Sequence, residues 1–229
     1  MLYLIPGLLC DRSIWAQQVE TLTPIAEISV PDLRGIDRIP TMAQRVLDRA
    51  PAKFSLAGHS LGGRIALEIV RQAPERIERL ALLDTGVIPV QPGEPERRQA
   101  LVNLAERAGM QALAQEWLPP MLHPDRWSDQ DLIDPLLAMI ERSTPASFKT
   151  QVEALLQRPN ARRVLDSIQC PTLILCGRQD SWSPLSQHEE IATAIAGAQL
   201  VVVEDCGHLS TVERPEAVSR ALRAWLQQD

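Results

Sequence analysis

The chain predicts an α/β fold: a mostly parallel sheet of about six strands, flanked by helices. Three observations lead there. Short apolar, β-prone runs recur at residues 2–5, 27–30, 54–57, 80–83, 172–176 and 200–203. Segments whose apolar residues keep helical spacing alternate with them. The pentapeptide Gly58-His59-Ser60-Leu61-Gly62 joins one such strand directly to one such helix. Strands that are apolar on both faces need cover on both sides, and helices in front of and behind a parallel sheet supply it.

The helices expected between the strands cover residues 14–22, 42–50, 61–73, 187–195 and 215–228, with Ile65, Leu67, Ile69 and Val70, or Val218, Leu222 and Trp225, in helical register. Residues 86–167 break the alternation. There a helix is expected over 96–108 up to Gly109, and a second over 110–118 that Pro119-Pro120 stops. Ser128-Asp129-Gln130-Asp131 resembles a capping box, and Thr144-Pro145 reads as an N-cap followed by proline at the first helical position. Pro135 predicts a kink or a late start in the helix around it. The division expected is a core of residues 1–85 and 168–229, with residues 86–167 as a helical lid over the edge where strands end.

With 229 residues, 45% of them apolar, the chain is long enough for one large core or a core with a small subdomain. The formal charge of -6 argues against a nucleic-acid partner, which asks for a basic face. No run reaches the ~18 apolar residues of a membrane span, and the N-terminal run lacks the cationic leader of a secretion signal, so a cytoplasmic protein without a membrane partner is expected. Cys10, Cys170, Cys176 and Cys206 lack paired metal-ligand spacing and read as reduced thiols. No metal and no cofactor are expected.

Gly-x-Ser-x-Gly between a strand and a helix holds a serine exposed on a strained turn, which makes Ser60 the leading nucleophile candidate. The pattern needs partners, because it also occurs in unrelated loops. Asp180 follows the fifth strand and His208 the sixth. In a parallel sheet the loops after the strands gather at one edge, so all three can converge. A serine hydroxyl needs an imidazole to take its proton, and the imidazole needs a carboxylate to set its tautomer and stabilise its cation. His208 is the expected base and Asp180 its orienter, in the chain order Ser, Asp, His.

Together, Pro6-Gly7-Leu8, Gly58-His59-Ser60-Leu61-Gly62, Gly177-Arg178-Gln179-Asp180 and Gly207-His208 resemble the α/β-hydrolase fold superfamily, and the likeness covers essentially the whole chain. It implies a serine hydrolase acting on a small or medium carboxylic ester or thioester through an acyl-enzyme. It also implies an oxyanion hole built from the backbone N–H groups of Leu8 and Leu61. Two features depart from the usual pattern: Pro6 stands where many relatives have histidine, and the chain starts on what resembles the family's third strand. In the menaquinone-pathway lyase branch an arginine at the place of Arg64 helps bind a substrate carboxylate, so a proton-abstracting lyase is one alternative. A non-catalytic small-molecule receptor on the same fold is another.

Other residues carry weaker expectations. Asp84, Asp205 and Glu204 compete with Asp180 for the acid position. His59 reads as a packing group beside the nucleophile, and His123 and His188 as surface residues. Arg64 reads either as a substrate-binding cation or as an arginine tied to surrounding groups. Trp117, Trp127 and Trp182 can wall an apolar pocket or pack in the core. Cys10 and Cys206 fall on the functional edge without a base of their own, and Asp32-Leu33-Arg34-Gly35 reads as a structural turn.

Overall fold

Strands β1 (Leu2–Ile5), β2 (Ile28–Ser29), β3 (Phe54–His59), β4 (Ile77–Leu83), β5 (Thr172–Gly177) and β6 (Gln199–Val203) form one sheet in the order β2-β1-β3-β4-β5-β6. Every pairing is parallel, with Leu4 opposite Ala57, Gly58 opposite Leu82 and Cys176 opposite Val202. The computed structural model describes residues 1–228. β1, β3 and β5 are buried along their whole length, as continuous apolar runs covered on both faces require. At the outer position beside β1, β2 shrinks to two half-buried residues. β3 and β4 are longer than their apolar runs predict, because ladder pairing carries through Gly58-His59 and, past a bulge at Glu78, to Arg79 and Ile77.

Helices α1 (Ala16–Leu22), α2 (Ile39–Leu47), α3 (Leu61–Gln72), α8 (Leu185–Ala194) and α10 (Pro215–Leu226) lie near their expected positions. α2 starts three residues early because Pro40 serves its first turn, and residues 12–15 form a tight 3-10 turn ahead of α1. α3 packs against β1, β3 and β4, which fixes the strand-to-helix junction at Ser60 against the middle of the sheet.

Between β4 and β5 lie α4 (Glu94–Trp117), α5 (Gln130–Glu141), α6 (Pro145–Leu156) and the single turn α7 (Arg162–Leu165). Gly109, at φ 85° and ψ 176°, interrupts the helical backbone of α4 where the sequence places the break. Asp129 caps α5 by accepting from Leu132 N, and Thr144 caps α6 by accepting from Ser147 N. The late start expected from Pro135 does not occur: the Asp129 cap begins α5 at Gln130 and the helix runs through the proline. No helix among the described residues is long and apolar enough to cross a membrane.

Candidate active site

β3 ends at His59 and α3 begins at Leu61, so the chain reverses within one residue. Ser60 takes the strain of that reversal, at φ 54° and ψ -115°, a conformation rare outside glycine. The flanking glycines have no substitute. A Cβ on Gly58 would stand 2.3 Å from Gly62 O, and one on Gly62 would stand 2.1 Å from Ile5 O. β1 and the start of α3 approach each other that closely, and this brings the Pro6-Gly7-Leu8 loop beside the serine.

The loops after β5 and β6 bring the other two candidates to the same rim. Ser60 Oγ donates to His208 Nε2 at 2.8 Å, and His208 Nδ1 donates to Asp180 Oδ2 at 2.7 Å. The other carboxylate oxygen, Asp180 Oδ1, accepts from the backbone N–H of Trp182 and of Ser183. Burial pushes the Asp180 carboxyl up, but the charge and hydrogen bond of His208, with those two amides, outweigh it and hold the group below its ordinary value. Burial draws His208 down, and Asp180 more than offsets this, raising the imidazole above its ordinary value. One contact supports both shifts.

The competing carboxylates lie elsewhere. Asp84 accepts from Gly177 N and shares a hydrogen bond with Ser210 Oγ, and it meets the His59 ring at 3.7 Å, so it braces the β4, β5 and α9 (Ser210–Glu213) ends. Burial and the neighbouring Asp180 charge raise it well above the ordinary carboxylate range. Glu204 pairs with Arg178 at the surface, and Asp205 is exposed. His59 is fully buried and donates from Nε2 to His208 O at 2.8 Å, which leaves Nδ1 bare. Burial holds it neutral, down to about 3.

His188 corrects a sequence expectation. It is not on the surface: its Nε2 accepts from Thr85 N while Nδ1 donates to Pro184 O, deep between the β4 and β5 loops. The signal was in the helical spacing: His188 stands three residues before Ile191, the other buried residue of α8, and shares its inward face. His123 is partly buried and caps a short turn by accepting from Asp125 N. Asp32 and Arg34 form a bidentate surface pair within their turn. Cys10 and Cys206 are buried thiols, both pushed up by burial, Cys10 to about 12.

A cavity of about 660 Å³ opens over Ser60 and His208, with Leu8, Leu61, Trp117 and Trp182 in its wall. Among the described residues no hydrogen-bond partner is found for the backbone N–H groups of Leu8 and Leu61. Trp182 is 39% exposed with its ring 6.5 Å from that of His208, whereas Trp117 is buried. Trp127 stands outside the cavity, half exposed, donating to Pro119 O.

The far wall is cationic. Arg158 makes a two-pronged pair with Glu94, which also accepts from Arg98. Arg64 reaches the same wall, donates from Nη1 to Ile88 O at 3.1 Å and makes no ion pair among the described residues. Burial and the neighbouring Arg158 charge pull its guanidinium down to about 9. With Arg97, four arginines line this cavity, against the carboxylates of Glu94 and Glu116. Sequence reading missed Glu94 and Arg158, which lie 64 positions apart. It also missed Glu213, which accepts from Gly207 N, Leu209 N and His123 N. Among the described residues no group of three or more His, Cys, Asp or Glu is placed to hold a metal ion.

A family model described as the alpha/beta hydrolase family matches residues 2–221. A pimeloyl-[acyl-carrier protein] methyl ester esterase from Nitrosomonas europaea is 25% identical over 235 residues, covering 94% of this chain and 91% of its own. Among solved structures, a thermophilic esterase from Thermogutta terrifontis superposes with a TM-score of 0.90 at 29% identity, over 99% of this chain and 89% of its own. The enol-lactonase from Burkholderia xenovorans LB400 does so with a TM-score of 0.90 at 26% identity, over 99% and 91%.

Proposed function

The chain belongs to the alpha/beta hydrolase family, and from that premise we propose that it is a serine esterase that cleaves a small or medium carboxylic ester or thioester through an acyl-enzyme. The observation that carries this reading is the continuous relay from Ser60 Oγ through His208 to Asp180, at 2.8 and 2.7 Å. The esterases and the lactonase among its relatives support the choice of bond.

In the proposed cycle His208 Nε2 takes the Ser60 proton as Oγ attacks the substrate carbonyl. The oxyanion that forms sits against the Leu8 and Leu61 amides, each such donor contributing ~3 kcal/mol because it is aimed in advance at charge that develops only in the transition state. Collapse expels the alcohol or thiol, which takes the proton back from His208, and leaves an acyl group on Ser60. Water then attacks with His208 as base, releasing the carboxylic acid and restoring the serine. Asp180 stays ionised throughout and stabilises the transient imidazolium.

Residues 86–167 act in this reading as the lid. Trp117 and Trp182 line the acyl pocket, and Arg64 presents its free guanidinium edge to a polar group of the substrate. Replacing Ser60 with alanine is expected to lower kcat by ~10^4-fold or more with the fold intact. Mass spectrometry of the wild type with substrate is expected to find acyl-Ser60. An alanine variant that keeps most of its turnover would overturn the reading. The unpaired Arg64 favours the proton-abstracting alternative, and Ser60-dependent turnover with no acyl-Ser60 at any time point would select it.

A further inference from the structure

The loop that carries the Leu8 amide is a tight turn under strain, and the residue that holds the strained conformation comes from the helical insertion. Cys10 N donates to Gly7 O at 3.2 Å, closing a four-residue turn over Gly7-Leu8-Leu9-Cys10. Gly7 O and Leu8 N–H belong to one planar peptide and point opposite ways. The bond that draws Gly7 O toward Cys10 therefore turns the Leu8 N–H outward, and Leu8 lines the cavity over Ser60. Positive φ at Leu9 but not at Leu8 makes this a type II turn, whose third position is normally glycine. Here that residue is Leu9, buried and at φ 61°. A leucine pays for that backbone, because its Cβ crowds the following carbonyl.

Its amide cannot turn to water either. Leu9 N donates at 3.1 Å to Oε1 of Gln151, a buried side chain on α6 that lies 142 positions away in the chain. Without that acceptor, a buried N–H would be orphaned in an already strained turn. Arg142, at the end of α5, adds an exposed clasp by donating to Asp11 and to Ser13 Oγ just beyond the turn. Gln151 makes no hydrogen bond to Ser60 or His208 and is not in the wall of the cavity over them.

We propose that Gln151 is a positioning residue for the oxyanion hole: by holding Leu9 in the left-handed conformation it aims the Leu8 amide, so the insertion builds part of the catalytic apparatus as well as covering it. This rests on the esterase reading above. It makes the catalytic rate depend on an acceptor oxygen at position 151, and it ties that dependence to the strain at Leu9.

The test measures kcat and KM on a chromogenic ester for Gln151→Met, which keeps the length and loses the acceptor, and for Gln151→Glu, which keeps an acceptor oxygen. Gln151→Met is expected to lose ~10- to 100-fold in kcat with KM nearly unchanged, a partial version of removing an oxyanion donor outright. Gln151→Glu is expected to recover most of that loss. Glycine at position 9 adopts the left-handed region freely, so in a Leu9→Gly background Gln151→Met is expected to lose only a few-fold. Hydrogen exchange at the residue 9 amide, expected to quicken in Gln151→Met, reads the contact without any substrate. Equal losses in the Met and Glu variants, or a loss as large in the Leu9→Gly background, would reduce Gln151 to a packing residue and overturn the proposal. Ser60→Ala is assayed in parallel. If it is inactive while Gln151→Met matches the wild type, the positioning role alone falls; if it stays active, the esterase reading falls and the positioning role with it.

Discussion

Asp180 Oδ2 lies 2.7 Å from His208 Nδ1, while the Asp84 carboxylate makes no hydrogen bond to that ring. Two aspartates sit at neighbouring strand ends, and only Asp180 is hydrogen-bonded to the His208 ring. Asp180→Asn is therefore expected to lower kcat by ~10^4-fold through the wrong imidazole tautomer. Asp84→Asn is expected to keep kcat within ~10-fold and to cost stability instead, since its amide keeps one acceptor oxygen for Gly177 N and replaces the one that accepts from Ser210 Oγ. Steady-state kinetics on the two variants decide the matter, and the opposite ranking would transfer the acid role to Asp84.

The same contact sets the pH response. His208 must be neutral to accept the Ser60 proton, and its value is raised, so kcat/KM is expected to climb with pH through a midpoint above 6.5. For stability the sign is opposite. A histidine raised in the folded state contributes stability fully below its unfolded value of 6.5, and loses it as pH rises through the folded value. Histidine NMR titrations of wild type and Asp180→Asn check the cause: the His208 midpoint is expected to fall in the variant.

Glu94 holds the cationic wall of the cavity. Burial pushes its carboxyl up, but hydrogen bonds from Arg158 and Arg98 outweigh this and hold it down at about 2. The stability it contributes is present above 4.5 and is lost as pH falls toward 2. Glu94→Gln leaves the Arg158 guanidinium buried without a carboxylate, at an expected cost of about 3–5 kcal/mol. Urea denaturation at neutral pH measures it. A variant as stable as wild type would mean that solvent already screens the pair.

Gly62 and Gly35 separate two reasons for a glycine. A methyl group on Gly62 would stand 2.1 Å from the carbonyl oxygen of Ile5, main chain that cannot step aside without opening the sheet. Gly62→Ala is expected to cost more than ~4 kcal/mol and to leave little folded protein. Gly35, at φ 81°, has nothing within 4 Å, so Gly35→Ala is expected to cost only the ~1–2 kcal/mol of a left-handed alanine. Thermal melts of the two variants give the contrast, and similar values would remove the steric account of the elbow.

Local rules carried much of the result. Apolar runs against helical spacing were enough for the six strands and most helices, and a parallel sheet gathers its following loops at one edge, so Ser60, Asp180 and His208 were legible as a set before any coordinate. Gly109 and the Asp129 and Thr144 caps were legible too, because a break or a cap is written within four residues of chain. What only the tertiary structure decided are contacts between segments with no local code for each other: Glu94 with Arg158, Gln151 with Leu9, His188 beneath Thr85. Each joins a side chain to a group far along the chain, and its energy comes from burial that packing creates. A sequence states which groups can donate or accept; the fold chooses which of them lose their water and must find one another.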